Sequence, residues 1–198
     1  MTLLPLILGL ILFLGGHALT MNRQARASLI ARIGEGPYKG LYSLVSVVGL
    51  VLIVWGFGVY RASGMIPVWY PPAWTRHVTF LLVLIAFVLI AATYPPSHIR
   101  AVVKHPMITS VILWSLGHLL VRGDLGSILM FGGFFVWGVL ARISMGRRAP
   151  ADVQGPAAIS REPRWGADVG VTVIGIAVYL AVLFWLHPLL IGVSLMPG

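Results

Sequence analysis

Apolar residues in this chain do not repeat with a helical or strand period. They run in long uninterrupted blocks divided by short polar connections. Crossing about 30 Å of hydrocarbon at 1.5 Å per residue takes roughly 20 residues. Six blocks approach that length: Leu3–Thr20, Leu41–Tyr60, His77–Tyr94, Pro106–Val121, Leu125–Met145 and Asp168–Ile191. The pattern predicts an all-α polytopic transmembrane bundle of about six helices, forming one integral membrane domain over residues 1–198. The first block has no basic residue before it and no small-residue cleavage site after it, so it is expected to stay as a membrane helix.

Composition strengthens this picture. Of 198 residues, 59% are hydrophobic and 10% charged, whereas a soluble domain carries about 25% charged residues. The lipid bilayer is therefore the expected partner. The net charge of +9 does not point to nucleic acid, because the cations sit in short connections beside apolar blocks. Connections one, three and five, counted in order, hold 11 of the Lys and Arg residues; the other side holds only Arg61, Arg76 and Arg122. The positive-inside rule then places both termini in the periplasm.

Several connections carry their own signals. Arg61 to Arg76 contains Trp69, Tyr70, Trp74 and three prolines, the composition of an interfacial belt. Arg122-Gly123-Asp124 reads as a tight turn. The stretch from Gly146 to Ala167, rich in Pro, Gly and Arg, reads as a mobile connection. Small residues at Ser43, Ser46, Gly49 and Gly56, and at Gly132, Gly133 and Gly138, predict helices in close backbone contact.

Chemistry narrows quickly. The chain has no cysteine, which excludes disulfides, iron–sulfur ligation and thiolate haem ligation. Its few acidic residues lie in connections or at helix ends, so paired carboxylates inside the membrane are not expected. Histidine is left as the strong ligand. His17 and His118 lie within apolar blocks, where a polar side chain is costly and marks a functional candidate. His105 precedes Pro106 at a helix start, and His187 precedes Pro188 near the end of the last block. His77 and His98 fall at block margins. No single helix presents two histidines on one face, so a metal or haem would be held between helices.

Two stretches, Leu12–Arg23 (LFLGGHALTMNR) and Gly34–Ser43 (GEGPYKGLYS), resemble the NnrU family. So do His105-Pro-Met, Leu113–Leu120 (LWSLGHLL), Gly123-Asp-Leu and the closing His187-Pro-Leu-Leu-Ile-Gly. The resemblance implies a bacterial inner-membrane protein linked to denitrification and nitric oxide metabolism. The family is similar to plant zeta-carotene isomerase, a haem b membrane enzyme that turns a cis double bond trans. His17 and His118 match the histidines proposed as haem ligands there, while Ser115 stands where that enzyme has cysteine. The resemblance implies haem b with His17 and His118 as metal ligands and His105 and His187 in reserve. Arg23, Arg26 or Arg122 would pair with the propionates. A lipid-soluble polyene is then the expected substrate class, with redox chemistry beside it.

Other readings follow from the same residues. A non-enzymatic factor for maturation of a nitric oxide reductase would share the denitrification link. His105, Pro106, Trp114 and Gly117 also resemble integral-membrane methyltransferases of the isoprenylcysteine type, although Arg142–Trp165 lacks the acidic helix of those enzymes. One geometric difficulty is visible in advance. His17 lies near one end of its helix and His118 near the opposite end of its own, a depth difference of about 15 Å.

Overall fold

A computed structural model describes residues 2–147 and 162–195. The expected mobile connection, with Arg148, Asp152 and Arg161, falls largely outside them. The described chain is helical: α1 (Leu4–Leu19), α2 (Arg23–Ile33), α3 (Glu35–Ala62), α4 (Thr75–Ala91), α5 (His98–Val103), α6 (Pro106–Val121), α7 (Leu125–Gly146), α8 (Trp165–Ala181) and α9 (His187–Ile191). A π-helical turn, Val182–Leu186, joins α8 to α9. Pro188 has no amide hydrogen, so one helical bond is lost here, and the His187 amide reaches five residues back to Val182 O.

Three helical stretches are long and apolar enough to cross a membrane: α3, α7 and the run from Trp165 to Ile191. Counting α1 and α2 as one bent span makes four, and α4 and α6 are shorter apolar helices. The protein is therefore a membrane protein.

The helices stand side by side in the order α3, α1, α7, α6, α4, α8. Glycines set the spacing. A Cβ at Gly9 would lie 2.6 Å from Ile53 N, one at Gly49 2.8 Å from Phe13 N, and one at Gly56 2.4 Å from Leu6 N. Residues 6 to 13 thus meet residues 56 to 49, so α1 and α3 are antiparallel and touch backbone to backbone. Gly175 meets the Val88 backbone in the same manner, whereas Gly138 and Gly133 meet the side chains of Ile112 and Leu14, and Gly132 faces open space. The expected close backbone contact thus holds at Gly49 and Gly56; Gly133 and Gly138 pack on side chains, and Gly132 and the exposed Ser43 do not fit it.

Large aliphatic side chains point outward, as lipid-facing surfaces require, while hydroxyls turn inward. Ser115, fully buried, donates to Val111 O at 2.7 Å, and Thr79 donates to Gly117 O across the α4–α6 contact at 2.8 Å. At one end the connection after α3 is fixed rather than loose. Val68 N and Trp69 N both donate to Gly123 O, and Leu125 N donates to Ile66 O. Asp124 caps α7 by accepting from Ser127 N, so Arg122-Gly123-Asp124 is a structural turn. Tyr70 and Trp74 remain exposed, as an interfacial belt requires.

The largest departure from expectation is α2. Residues 23–33 were read as part of a connection, but Asn22 caps a helix there, its Oδ1 accepting from Ala25 N. This helix turns 93° from α1 and buries none of its residues.

Candidate functional site

The end of the bundle where α1 and α7 finish and α6 begins collects Arg23, Arg26, Arg100, Lys104 and Arg142, and is called the basic end below. α2 swings away from α1 at nearly a right angle, beside the ends of α1 and α7 and the start of α6. They leave a cavity of about 750 Å³, within the range of small-molecule sites.

His17 sits on its wall in the last turn of α1. Its Nδ1 lies 2.7 Å from Phe13 O. A carbonyl only accepts, so Nδ1 carries a hydrogen and Nε2 is the nitrogen left for a metal. The ring stacks on Phe13 at 4.3 Å and meets Trp137 edge-on, with centroids 5.7 Å apart. Tyr42 flanks it at 5.4 Å. Trp137, Ala141 and Met145 recur every four residues and form one stripe of α7 along the cavity. Met107 and Ile108 line it from α6, and Arg23, Gln24, Arg26 and Ala27 from α2. Arg26 also lies over the Tyr38 ring, 5.7 Å from its centroid. The α6 and α7 walls of the site are thus apolar and its α2 wall carries the cations.

His118 has a different setting. Its Nδ1 also donates to the carbonyl four residues back, Trp114 O at 2.8 Å. Its ring stacks on Phe131 at 4.5 Å. On α7, Phe131 and Trp137 are six residues apart, so the two histidines sit at levels about 9 Å apart along the bundle. Phe13, Phe134 and Trp114 fill the space between them, each ring within 5.8 Å of the next. The structure does not bring His17 and His118 together around one macrocycle. As a pair of ligands to a single iron they do not fit.

The remaining candidates are also dispersed. His105 caps α6 with its backbone, its carbonyl accepting from Thr109 N. His187 donates from Nδ1 to Val193 O and ties down the chain's last described residues. Arg122 ends α6 on the His118 side. Of the expected residues, His17 and Arg23 share the cavity with Arg26; His105, His118, His187 and Arg122 are not among its lining residues. Among the described residues no three His, Cys, Asp or Glu side chains converge as a metal cluster. The cavity itself was not foreseen, although the four-residue spacing of Trp137, Ala141 and Met145 was present in the sequence as a signal.

The sequence model of the NnrU protein family matches residues 5–195, nearly the whole chain. The chain belongs to the NnrU family. No curated protein and no solved structure matches it. Within this NnrU-family fold, the matched region includes every residue of the cavity wall.

A single-histidine haem passes the test that the pair fails. The His17 cavity supplies one imidazole whose Nδ1 is bound to Phe13 O, apolar side chains from α6 and α7, and two arginines from α2. That donor set matches a planar apolar group with a coordinating metal and anionic substituents at one edge.

Proposed function

We propose that this protein binds haem b in the His17 cavity, as an inner-membrane NnrU-family protein active in redox or polyene isomerisation chemistry linked to denitrification. The observation that carries the reading is the imidazole of His17, with Nδ1 bound to Phe13 O, on the wall of a cavity rimmed by Arg23 and Arg26. In this reading His17 holds the iron, the arginines hold the propionates, and Trp137, Ile108 and Ala141 exclude water from the interior. Haem bound there would supply a one-electron couple within the membrane. The Phe13–His17 bond orients the imidazole, as partners of metal-bound histidines do elsewhere.

The same reading has six membrane crossings, with α1, α4 and α6 spanning beside the three long runs. It also places the basic end in the cytoplasm, which the 11-to-3 division of cations supports.

The test is the absorption spectrum of detergent-purified protein, oxidised and reduced, with a pyridine haemochrome assay. A b-type spectrum lost in His17→Ala and kept in His118→Ala is expected. A colourless protein that takes up no added haem would overturn the reading, as would a spectrum that survives His17→Ala. Colourless protein that co-purifies with a nitric oxide reductase would support the assembly-factor role instead.

A further inference from the structure

We propose that a haem in the His17 cavity takes its second protein ligand from a methionine thioether, and that Met107 supplies it. This rests on the haem reading above. A second imidazole is not offered by the cavity lining: His17 is its one histidine, and His118 lies behind three aromatic rings. The same lining contains three methionines, Met21, Met107 and Met145. With no cysteine in the chain, thioether sulfur is the soft donor present, and methionine opposite histidine is an established ligand pair for haem iron.

Position selects among the three. Met21 lies two residues past the end of α1, the helix that carries His17, whereas Met107 and Met145 are carried by other helices, α6 and α7. Gly138 packs on Ile112, which aligns α6 and α7, and Trp137, next to Gly138, marks the level of His17. Met107 is five residues before Ile112, so it lies about 8 Å from that level toward the basic end. Met145 is seven residues past Gly138, about 11 Å away. Met107 and His17 line the same cavity, whereas aromatic rings stand between His17 and His118, so an imidazole and a flexible thioether chain reach toward one metal atom from different helices. Met107 also keeps 46% of its surface exposed while lining the cavity.

The experiment is iron X-ray absorption on the haem-loaded protein, with near-infrared magnetic circular dichroism of the ferric form. A sulfur scatterer on iron can come only from methionine, because the chain has no cysteine. The wild type is expected to show iron–sulfur scattering and the thioether charge-transfer band. Met107→Leu is expected to lose both, to keep its haem through His17, and to show a lower midpoint potential. Met145→Leu and His118→Ala are expected to keep both signals. Haem-loaded wild type without sulfur scattering, or a sulfur signal that persists in Met107→Leu, would overturn the assignment and leave the haem reading standing. A protein that binds no haem would overturn both.

Discussion

His17 and His118 are held in the same way in two separate places. Each donates from Nδ1 to the carbonyl four residues earlier, at 2.7 and 2.8 Å, and each stacks on a phenyl ring, Phe13 or Phe131. The shared arrangement occupies Nδ1 of each ring and leaves Nε2 as the nitrogen not bound to its own helix. What differs is the space in front of the ring. His17 lines a cavity and His118 is enclosed by Trp114 and Phe131. Local geometry is thus the same at both rings, and the surrounding packing leaves a cavity in front of His17.

The rim makes a prediction that separates the two ends. Charge-assisted hydrogen bonds contribute roughly 1.5–3 kcal/mol each. Arg26→Gln should therefore weaken haem uptake by about tenfold or more, and adding Arg23→Gln should weaken it further. Arg122→Gln, at the end of α6 away from the cavity, should leave uptake unchanged. Titration of haem into the apoprotein, followed by tryptophan quenching, measures all three. Equal losses from Arg26 and Arg122 would place the anionic edge elsewhere.

The α1–α3 contact makes a second prediction. A methyl group at Gly56 would meet the Leu6 amide nitrogen at 2.4 Å, and backbone cannot yield as a side-chain tip can. Overpacking of this kind costs about 1–3 kcal/mol. Gly56→Ala should lower the melting temperature in detergent. Gly132→Ala, with nothing within 4 Å, should be neutral or slightly stabilising, because alanine favours helix by about 1 kcal/mol over glycine.

Much of this architecture is legible in the sequence because lipid imposes long apolar runs. The fourth block was placed at Pro106–Val121, the bounds of α6. The polar stretch after α1 was harder. Its eleven residues place arginine among alanine and isoleucine without a marked apolar stripe, so nothing periodic distinguishes helix from connection. α3 begins at Glu35, six residues ahead of the apolar block at Leu41, because proline at position 37 is tolerated in a helix's first turn. The cavity follows from the 93° bend between α1 and α2, a tertiary feature with no local signature. Which histidine faces it depends on the register of α1 against α7, which one sequence does not encode in any local pattern.

Asp168 and His98 fasten the third and last connections together at the basic end. Asp168 Oδ2 accepts from His98 Nδ1 at 2.6 Å and its Oδ1 from Ile99 N at 3.1 Å, while the His98 ring stacks on Trp165 at 4.4 Å. Arg164 N adds a bond to Pro96 O. Asp168→Ala removes both acceptors, so the Ile99 amide should exchange its hydrogen faster. Asp168→Asn keeps one oxygen and should protect that amide better than alanine does. Indistinguishable exchange in the two variants would show that α5 holds its first turn without help from α8.

Lys104 joins α5 to α6 in a conformation that L-residues rarely adopt, with φ 65° and ψ −43°. His105 N donates to Val103 O at 2.8 Å across it, closing a tight three-residue turn of the strained, positive-φ kind. The turn is held on both sides. Lys104 N still bonds Arg100 O, and Arg142 reaches Val103 O from α7. Its consequence is positional: α6 begins immediately afterwards, at the level that sets Met107 and Ile108 into the cavity wall. A side chain in this region costs on the order of 1–3 kcal/mol that glycine avoids. Lys104→Gly should therefore stabilise the protein by about 1 kcal/mol, seen as a higher melting temperature in detergent. Lys104→Ala removes the charge but keeps the strain and should show no gain. A gain in both variants would trace the effect to the lost cation and not to the backbone.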